Sequence, residues 1–240
     1  MNFKTLKPLT NVFCVVFFLA FTITVTAQTK LTILYKQGNI KTSLSEYLKP
    51  NNTIKWNGNY SIAEFTISDS ITFFETLETY DEKDEFSMKT LLRGRKNKVR
   101  GKAFSPNASY CNYIKGISLD QIEWKDENYL VKDVISNKQE DWVLSEEART
   151  IFGYPCKQAY IRNGEEIERV VWYTENFKCN YSASGDTTIP GTILETYYPK
   201  TGKLVTAIDL QIEVNAIMVP KVGILVTRDA FDKIKKNKKS

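Results

Sequence analysis

The absence of histidine decides most of the chemistry open to this chain. Ser-His-Asp and Cys-His catalysis, HExxH zinc sites and all imidazole-ligated metals require that side chain. Catalysis would therefore have to use carboxylates, Lys, Tyr or a thiolate. Cys156 beside Lys157 is the candidate nucleophile, but a reactive thiolate needs a positive or helix N-terminal setting and usually a base. We expect Cys156 to be a core residue or half of a disulfide, and we predict no catalytic residue.

Carboxylates provide no second candidate. Glu165, Glu166 and Glu168 cluster at the tip of a predicted hairpin, where solvated turn residues are the default, so the carboxylate pair of a glycosidase cannot be assigned. The sequence contains neither a Gly-rich phosphate loop nor the spacing of metal ligands. We therefore predict no cofactor, and no cofactor-binding or metal-binding residue.

Aromatic residues on neighbouring predicted strands have two interpretations. One is a platform for a carbohydrate, lipid or peptide on a curved sheet. The other, which we expect, is packing in the core and on the sheet faces. The set consists of Trp142, Tyr154, Tyr160, Trp172, Tyr173, Tyr197 and Tyr198.

The first 27 residues have the pattern of a secretory signal peptide. Lys4 and Lys7 precede an apolar run of about fourteen residues, and Ala27 would be the last residue removed. An uncleaved membrane anchor is the alternative, although the run is shorter than the roughly 20 apolar residues that a span needs. We predict export, with residues 28–240 forming one mature domain in the periplasm, on the outer-membrane surface or outside the cell.

Export would place the remaining cysteines where disulfides form. Cys111, Cys156 and Cys179 would then give one bridge and one free thiol. We predict a disulfide between two of them, and the sequence leaves all three pairings open.

The net charge of +5 is concentrated near the C-terminus. Residues 228–240 hold six basic and two acidic residues, so the excess of basic residues belongs to this segment and does not indicate a nucleic-acid-binding surface. An acidic segment at residues 75–85 precedes a basic segment at 93–102. We expect their charges to screen one another at the surface. The alternative is a patch that binds an anion or a polysaccharide. The partner could be an envelope protein, a lipid, a peptide or a carbohydrate, and we predict that it is not a nucleic acid.

Most of the chain is predicted to form strands, and the fold class is therefore mainly β. Residues 204–214 show the clearest alternation of apolar and polar side chains, and a turn at 199–203 joins them to a strand at 192–198. We predict a large curved antiparallel sheet or partly open barrel, wetted on one side, with one or two short helices. The other predicted strands are residues 30–36, 60–67, 71–74, 110–116, 121–124 and 129–135.

Two segments favour helices. Residues 145–150 are the best helix start, because Ser145 can cap it and two glutamates suit its first turn, and Gly153 would end it. Residues 228–236 form a second helix with lysines toward its C-terminal end. A helical turn is also expected at 43–48.

Asn163-Gly164 predicts a type I′ turn between strands at 156–162 and 165–174. With that dipeptide at the turn centre, Tyr160 faces Ile167 and Cys156 faces Val171. A direct bridge from Cys156 to Cys179 would then require residues 175–179 to fold back.

From Trp142 to Leu194 the chain contains W-x8-I-F-G-Y-P-C-K-Q-A, then V-V-W-Y-T, then I-P-G-T-I-L. This segment resembles the GLPGLI family, exported bacterial proteins typical of Bacteroidetes and named after a Gly-Leu-Pro-Gly-Leu-Ile motif. At that motif, Thr188 stands in place of the first Gly and Thr192 in place of the second Leu, whereas the central Pro190 and Gly191 are retained. The other residues that carry the resemblance are Trp142, Ile151, Gly153, Tyr154, Cys156, Lys157, Ala159, Val171, Trp172, Tyr173, Thr174, Ile193 and Leu194.

The motif also has a structural interpretation. Pro190 and Gly191 suit the central positions of a type II turn, with positive φ at Gly191. The family has no established activity, so the resemblance implies a location rather than a reaction. We predict an exported cell-envelope protein with a non-catalytic binding or accessory role. An extracytoplasmic enzyme using carboxylates or a cysteine and a self-associating surface component are the alternatives.

Overall fold

A computed structural model of the chain describes residues 29–49, 54–80, 108–135, 140–177, 188–214, 217 and 219–237. The predicted signal peptide, the basic segment at 93–102 and Cys179 lie outside these residues.

The described residues form one large sheet of twelve strands with two short helices, which confirms the mainly β fold class. In chain order the elements are β1 (Thr29–Ile40), α1 (Leu44–Tyr47), β2 (Trp56–Ser68), β3 (Ile71–Tyr80), β4 (Ala108–Asn112), β5 (Ile117–Trp124), β6 (Glu127–Val134), β7 (Val143–Ile151), β8 (Tyr154–Asn163), β9 (Glu166–Thr174), β10 (Thr192–Tyr198), β11 (Lys203–Val214), β12 (Ile224–Thr227) and α2 (Arg228–Asn237).

The strand order is β12-β6-β5-β4-β3-β2-β1-β11-β10-β9-β8-β7. Among these described strands, β12 and β7 are the two edges. Strand β1 lies at the centre because it pairs with both β2 and β11. All pairs are antiparallel except β12 with β6, which is parallel, so the sheet is mixed rather than purely antiparallel.

The helix predicted at residues 145–150 is wrong, because these residues belong to strand β7. Phe152 and Gly153 form the turn from β7 to β8, with φ of 49° and 80°. Positive φ at both central residues is what a type I′ hairpin requires, so Gly153 reverses a hairpin instead of ending a helix. Ser145 instead accepts a hydrogen bond from the Glu147 N–H at 3.2 Å, within a bulge of β7. Pairing with β8 outweighs a weak local helix preference.

The predicted register of the next hairpin is also wrong. Asn163 pairs with Glu166, so the turn consists of Gly164 and Glu165. A bulge beside Ile161 then shifts the pairing, and Tyr160 lies opposite Val170. Such a one-residue offset changes every later partner along the strand.

The predicted helical turn and C-terminal helix are confirmed. Ser43 and Glu46 form a reciprocal capping box at the start of α1. Helix α2 packs on the sheet through Phe231, which is buried and lies 5.0 Å from the Tyr129 ring. Arg228 at its start forms ion pairs with Asp120 on β5 and, at 3.1 Å, with Asp133 on β6.

Candidate functional site

An ion pair between Arg149 on β7 and Glu195 on β10 lies against residues of the largest core cluster, and the two side chains are 11% and 4% exposed. The Nη2 of Arg149 donates to Oε1 of Glu195 and also, at 2.9 Å, to the Tyr47 hydroxyl. That hydroxyl donates in turn to the same carboxylate oxygen at 2.7 Å. We call these three residues the buried triad.

The triad residues lie on β7, β10 and helix α1, and strand pairing places β8 and β9 beside them. Arg149 lies opposite Cys156 on β8, and Glu195 lies opposite Trp172 on β9. Leu194 forms a bulge in β10, so that it and Glu195 occupy the space opposite one residue of β9, and both are buried. One arginine side chain therefore connects the edge strand β7 to β10, across the intervening strands β8 and β9.

Aromatic rings surround the guanidinium group. The Cζ of Arg149 lies 4.0 Å from the Trp172 ring centroid and 4.9 Å from that of Tyr47. Tyr47 stacks on Tyr197 at 4.2 Å, and the Tyr197 hydroxyl donates to the Thr42 carbonyl at 2.6 Å. Cation–π contacts are strongest when they are desolvated, as here. The expectation that Trp172 and Tyr197 belong to the core is confirmed.

The triad is neutral overall. Burial raises the pKa of the Tyr47 phenol well above its ordinary value, the Glu195 charge raises it further, and Arg149 opposes the shift. The phenol therefore stays protonated and acts as a donor. A paired and hydrogen-bonded charge is the form in which ionised groups are tolerated in a core.

Cys156 is a buried thiol beside the triad. It is 1% exposed, and burial raises its pKa to about 11. Its Sγ donates to the Tyr154 carbonyl at 3.4 Å. Because the thiolate is the nucleophilic form, a protonated and enclosed thiol suits a core position, as expected from the sequence.

The predicted disulfide is not formed by Cys111 with Cys156, since both carry free thiols. Cys111 lies on β4, far from β8 in the strand order, and it is half-buried. Burial raises the pKa of its thiol as well. Any bridge to Cys179 concerns a residue outside those that the structure describes.

The predicted type II turn at Pro190-Gly191 is wrong. The Gly191 N–H donates to the Ile189 carbonyl at 2.8 Å, which closes a three-residue γ-turn around Pro190. Gly191 is absent from the glycines with positive φ. Glycine is required here because the backbone of residue 191 passes close to that of Thr174. A Cβ at this position would lie 2.4 Å from the Thr174 carbonyl oxygen.

The γ-turn directs the following strand, β10, into the core. Ile189 and Ile193 pack in a second core cluster with Tyr173, and Trp142 lies against it. The Ile193 carbonyl accepts a hydrogen bond from the Tyr35 hydroxyl at 2.5 Å, which joins β10 to the central strand β1. The motif thus positions the β10 strand that carries Glu195.

The remaining motif residues have structural contacts. The Arg169 Cζ lies 5.0 Å from the Trp142 ring, and Arg169 forms an ion pair with Glu140. The Tyr154 ring meets that of Phe177 edge-on at 5.0 Å.

The glutamates at the hairpin tip are solvated, as expected. Glu165, Glu166 and Glu168 are exposed, and Glu168 accepts a hydrogen bond from Asn163 at 2.9 Å. Among the residues that the structure describes, no group of three or more Cys, Asp or Glu could hold a metal ion. No helix within the described part of the chain is long and apolar enough to cross a membrane.

Sequence patterns did not single out Tyr47, Arg149 or Glu195. Arg149 fell within a segment predicted to be a helix, and Tyr47 within a short helical turn. Glu195 did carry a signal, since it is the one charged residue in the otherwise apolar and hydroxyl-bearing strand Thr192–Tyr198. A carboxylate in such a strand is rarely buried unless it is paired.

No family model matches the chain, and no curated protein matches it significantly. A solved structure of PNGF-II in space group P21 has a TM-score of 0.50 at 17% identity and covers 86% of this chain. The chain spans 33% of the length of PNGF-II. A C2 form of PNGF-II gives 0.49 at 18% identity, covering 86% of this chain and 32% of that one. An uncharacterized conserved protein from Thermus thermophilus gives 0.45 at 8% identity, covering 84% and 91%. At these identities the likeness to PNGF-II concerns the fold alone.

Proposed function

We propose that this chain is an exported cell-envelope protein of the GLPGLI family that acts by binding, as a non-catalytic accessory module. The observation that carries the proposal is the state of Cys156, the motif residue that sequence analysis singled out as a candidate nucleophile. It is 1% exposed with a pKa of about 11, and it lies beside an arginine already paired with Glu195. We therefore assign the motif residues to stabilising the sheet.

If the motif holds the sheet together, then recognition belongs to the surface. Both edge strands expose large apolar side chains: Val143 and Leu144 on β7 are 43% and 54% exposed, and Ile224 and Leu225 on β12 are 54% and 65% exposed. Exposed apolar side chains at sheet edges are typical of surfaces that contact a partner.

The proposed location depends on the first 27 residues, whose charge, apolar run and small residues suit secretion. Cell fractionation of the native host, with N-terminal sequencing of the C-terminally tagged protein, tests it. We expect the envelope or medium fraction to contain a chain that begins at Gln28. A variant with Phe18→Asp and Leu19→Arg in the apolar run should remain uncleaved in the cytosol. A wild-type chain that keeps Met1 in the cytosol would contradict export.

An extracytoplasmic thiol enzyme is the less supported alternative. It predicts that the native protein reacts with an electrophile at Cys156 at neutral pH. Mass spectrometry after iodoacetamide treatment separates the two: binding without catalysis predicts that Cys156 stays unmodified in the folded protein and is alkylated after unfolding. Rapid alkylation of Cys156 in the folded chain would favour the enzyme.

A further inference from the structure

The edge formed by β12, with Lys132 beside it and α2 behind it, combines apolar and basic side chains; we call it the β12 corner. Ile224 and Leu225 are 54% and 65% exposed. Thr227 at the end of β12 pairs with Lys132, which is exposed on β6. Lys221 precedes the strand and is exposed too.

Positive charge is concentrated at this corner. The described residues 219–237 contain five basic and two acidic residues, a net charge of +3. On α2, Lys233 and Lys236 are exposed. The acidic Asp232 is paired with Lys235 at 2.9 Å.

The basic side chains have a fixed position, because α2 is anchored. Its Phe231 is 1% exposed against Tyr129 and Val131. Arg228 forms ion pairs with Asp120 and Asp133, so its charge is compensated inside the fold. Ile224 lies opposite Tyr129, on the face of the sheet that α2 covers, so the lysines of α2 share that face with Ile224. Leu225 points to the other face, together with Lys132.

We propose that the β12 corner binds the surface of an anionic lipid bilayer edge-on, with Ile224 and Leu225 entering the interface on either side of the strand and the lysines facing lipid phosphates. Exposed apolar side chains near lysines are typical of proteins that bind at the membrane interface. An acidic soluble partner would account for the lysines but leave the two apolar side chains unexplained. A second copy would bring the exposed lysines of two corners together, which like-charge repulsion opposes.

The opposite edge of the sheet provides an internal comparison. Strand β7 exposes Val143 and Leu144 to a similar extent, but its neighbouring exposed residues are Glu146 and Glu147. Anionic lipid should therefore bind the β12 corner and not the β7 edge. Substitutions on β7 serve as matched controls.

Co-sedimentation with vesicles tests the proposal on the chain from Gln28, which contains every described residue and lacks the N-terminal apolar run. The vesicles are phosphatidylcholine alone and phosphatidylcholine with one third phosphatidylglycerol. We expect binding only to the anionic vesicles, weakened by high salt. Lys233→Glu/Lys236→Glu should lower the partition coefficient by at least about tenfold, given about fivefold per basic residue near the surface.

The apolar contribution is tested by Ile224→Ser/Leu225→Ser, which should lower binding about tenfold or more, since both side chains lose their insertion. Val143→Ser/Leu144→Ser on β7 and Lys49→Glu/Lys200→Glu elsewhere on the surface should bind like wild type. Circular dichroism confirms that each variant is folded. Equal binding to neutral vesicles, or equal loss in the β7 controls, would overturn the proposal.

Two further results would also overturn it. If light scattering shows a dimer that the Ile224/Leu225 variant dissociates, the corner is an interface between copies. If the chain binds polyglutamate as well as vesicles and the apolar substitutions have no effect, the corner recognises acidic polymers. The membrane role in the cell rests on the proposed export, but vesicle binding is measured independently of it, so either can fail alone.

Discussion

At the residue scale, the structure centres on Arg149 and Glu195. The Glu195 side chain is buried and that of Arg149 is only 11% exposed, and the two are hydrogen-bonded to each other and to Tyr47. The Nε of Arg149 is buried without a hydrogen-bond partner among the described residues. A buried pair of this kind contributes little net stability over an apolar pair, but removing one partner leaves an uncompensated charge in the core. The two residues should therefore be strongly coupled energetically.

The first prediction concerns this coupling. Arg149→Met should lower the free energy of unfolding by about 3–5 kcal/mol, because Glu195 remains buried without its partner. Arg149→Met with Glu195→Leu should recover much of that loss. Urea unfolding of both single variants and the double variant measures the coupling. Arg162→Met, at an exposed arginine whose Cζ lies 4.9 Å from the Tyr160 ring, is the control and should cost less than about 1 kcal/mol. Additive losses would show that the pair is not coupled.

The second prediction concerns the pH dependence of stability at Cys156. Its folded pKa of about 11 exceeds the 9.0 of an exposed cysteine thiol, so the folded state keeps its proton to a higher pH. Stability from the protonated thiol is complete below about pH 9 and is lost as the pH rises through 11, by about 2–3 kcal/mol in all.

Denaturant unfolding of wild type and Cys156→Ala between about pH 8 and 11 isolates this effect from other titrating groups. At the lower pH the wild type should be the more stable, because the alanine leaves a small cavity. Its advantage should shrink as the pH rises. A difference between the two proteins that stays constant over this range would show that burial does not hold the thiol protonated.

Residue identity in the core could be predicted only in part. The sequence predicts Cys156 in the core or in a disulfide and Trp172 in the core or on a sheet face, and both side chains are buried. The partnership of Arg149 with Glu195 could not be predicted, since it depends on the order β10-β9-β8-β7 and on a bulge in β10. Neither leaves a local sequence pattern.

At the element scale, the γ-turn at Pro190 decides how β10 enters the sheet. Gly191→Ala should lower the free energy of unfolding by about 2 kcal/mol or more, because the new Cβ would lie 2.4 Å from the Thr174 carbonyl oxygen. Pro190→Ala, at an exposed position, should cost less than about 1 kcal/mol. Thermal unfolding of the two variants makes the comparison, and equal losses would contradict the close-approach role of Gly191.

Helix α2 gives a second prediction at this scale. Phe231→Ala should detach the helix locally, because Phe231 is its one buried side chain in the described structure. Hydrogen exchange should then quicken in α2 and β12, while β8 and β9 keep wild-type protection. Lys233→Ala is the matched control and should leave exchange unchanged. Faster exchange throughout the sheet would mean that α2 is essential to the whole fold.

Helices and strands differed in how well they could be predicted. Residues 228–236 form the predicted helix because its charges and apolar spacing agree. Residues 145–150 met similar local criteria, yet the type I′ turn at Phe152-Gly153 pairs them with β8. Long-range pairing therefore overrode a local preference that had no apolar stripe to support it.

At the scale of the whole molecule, a large sheet could be predicted from the sequence, but the order of its strands could not. Alternating segments such as residues 204–214 identified strands, and the short turn at 199–203 identified a hairpin. The central position of β1 and the parallel pairing of β12 with β6 join distant parts of the chain, so no local pattern contains them. The result is a sheet with a motif-bearing interior and two unlike edges.

The central claim is that the motif stabilises the sheet and that the protein works by binding at its surface. Native mass spectrometry of the protein purified from its own host tests this most directly. We expect the mass of the chain from Gln28 with a reproducible non-covalent bound mass that is released on denaturation, and the same bound mass on Cys156→Ala. A bare chain, or an adduct covalently attached to Cys156, would contradict the claim.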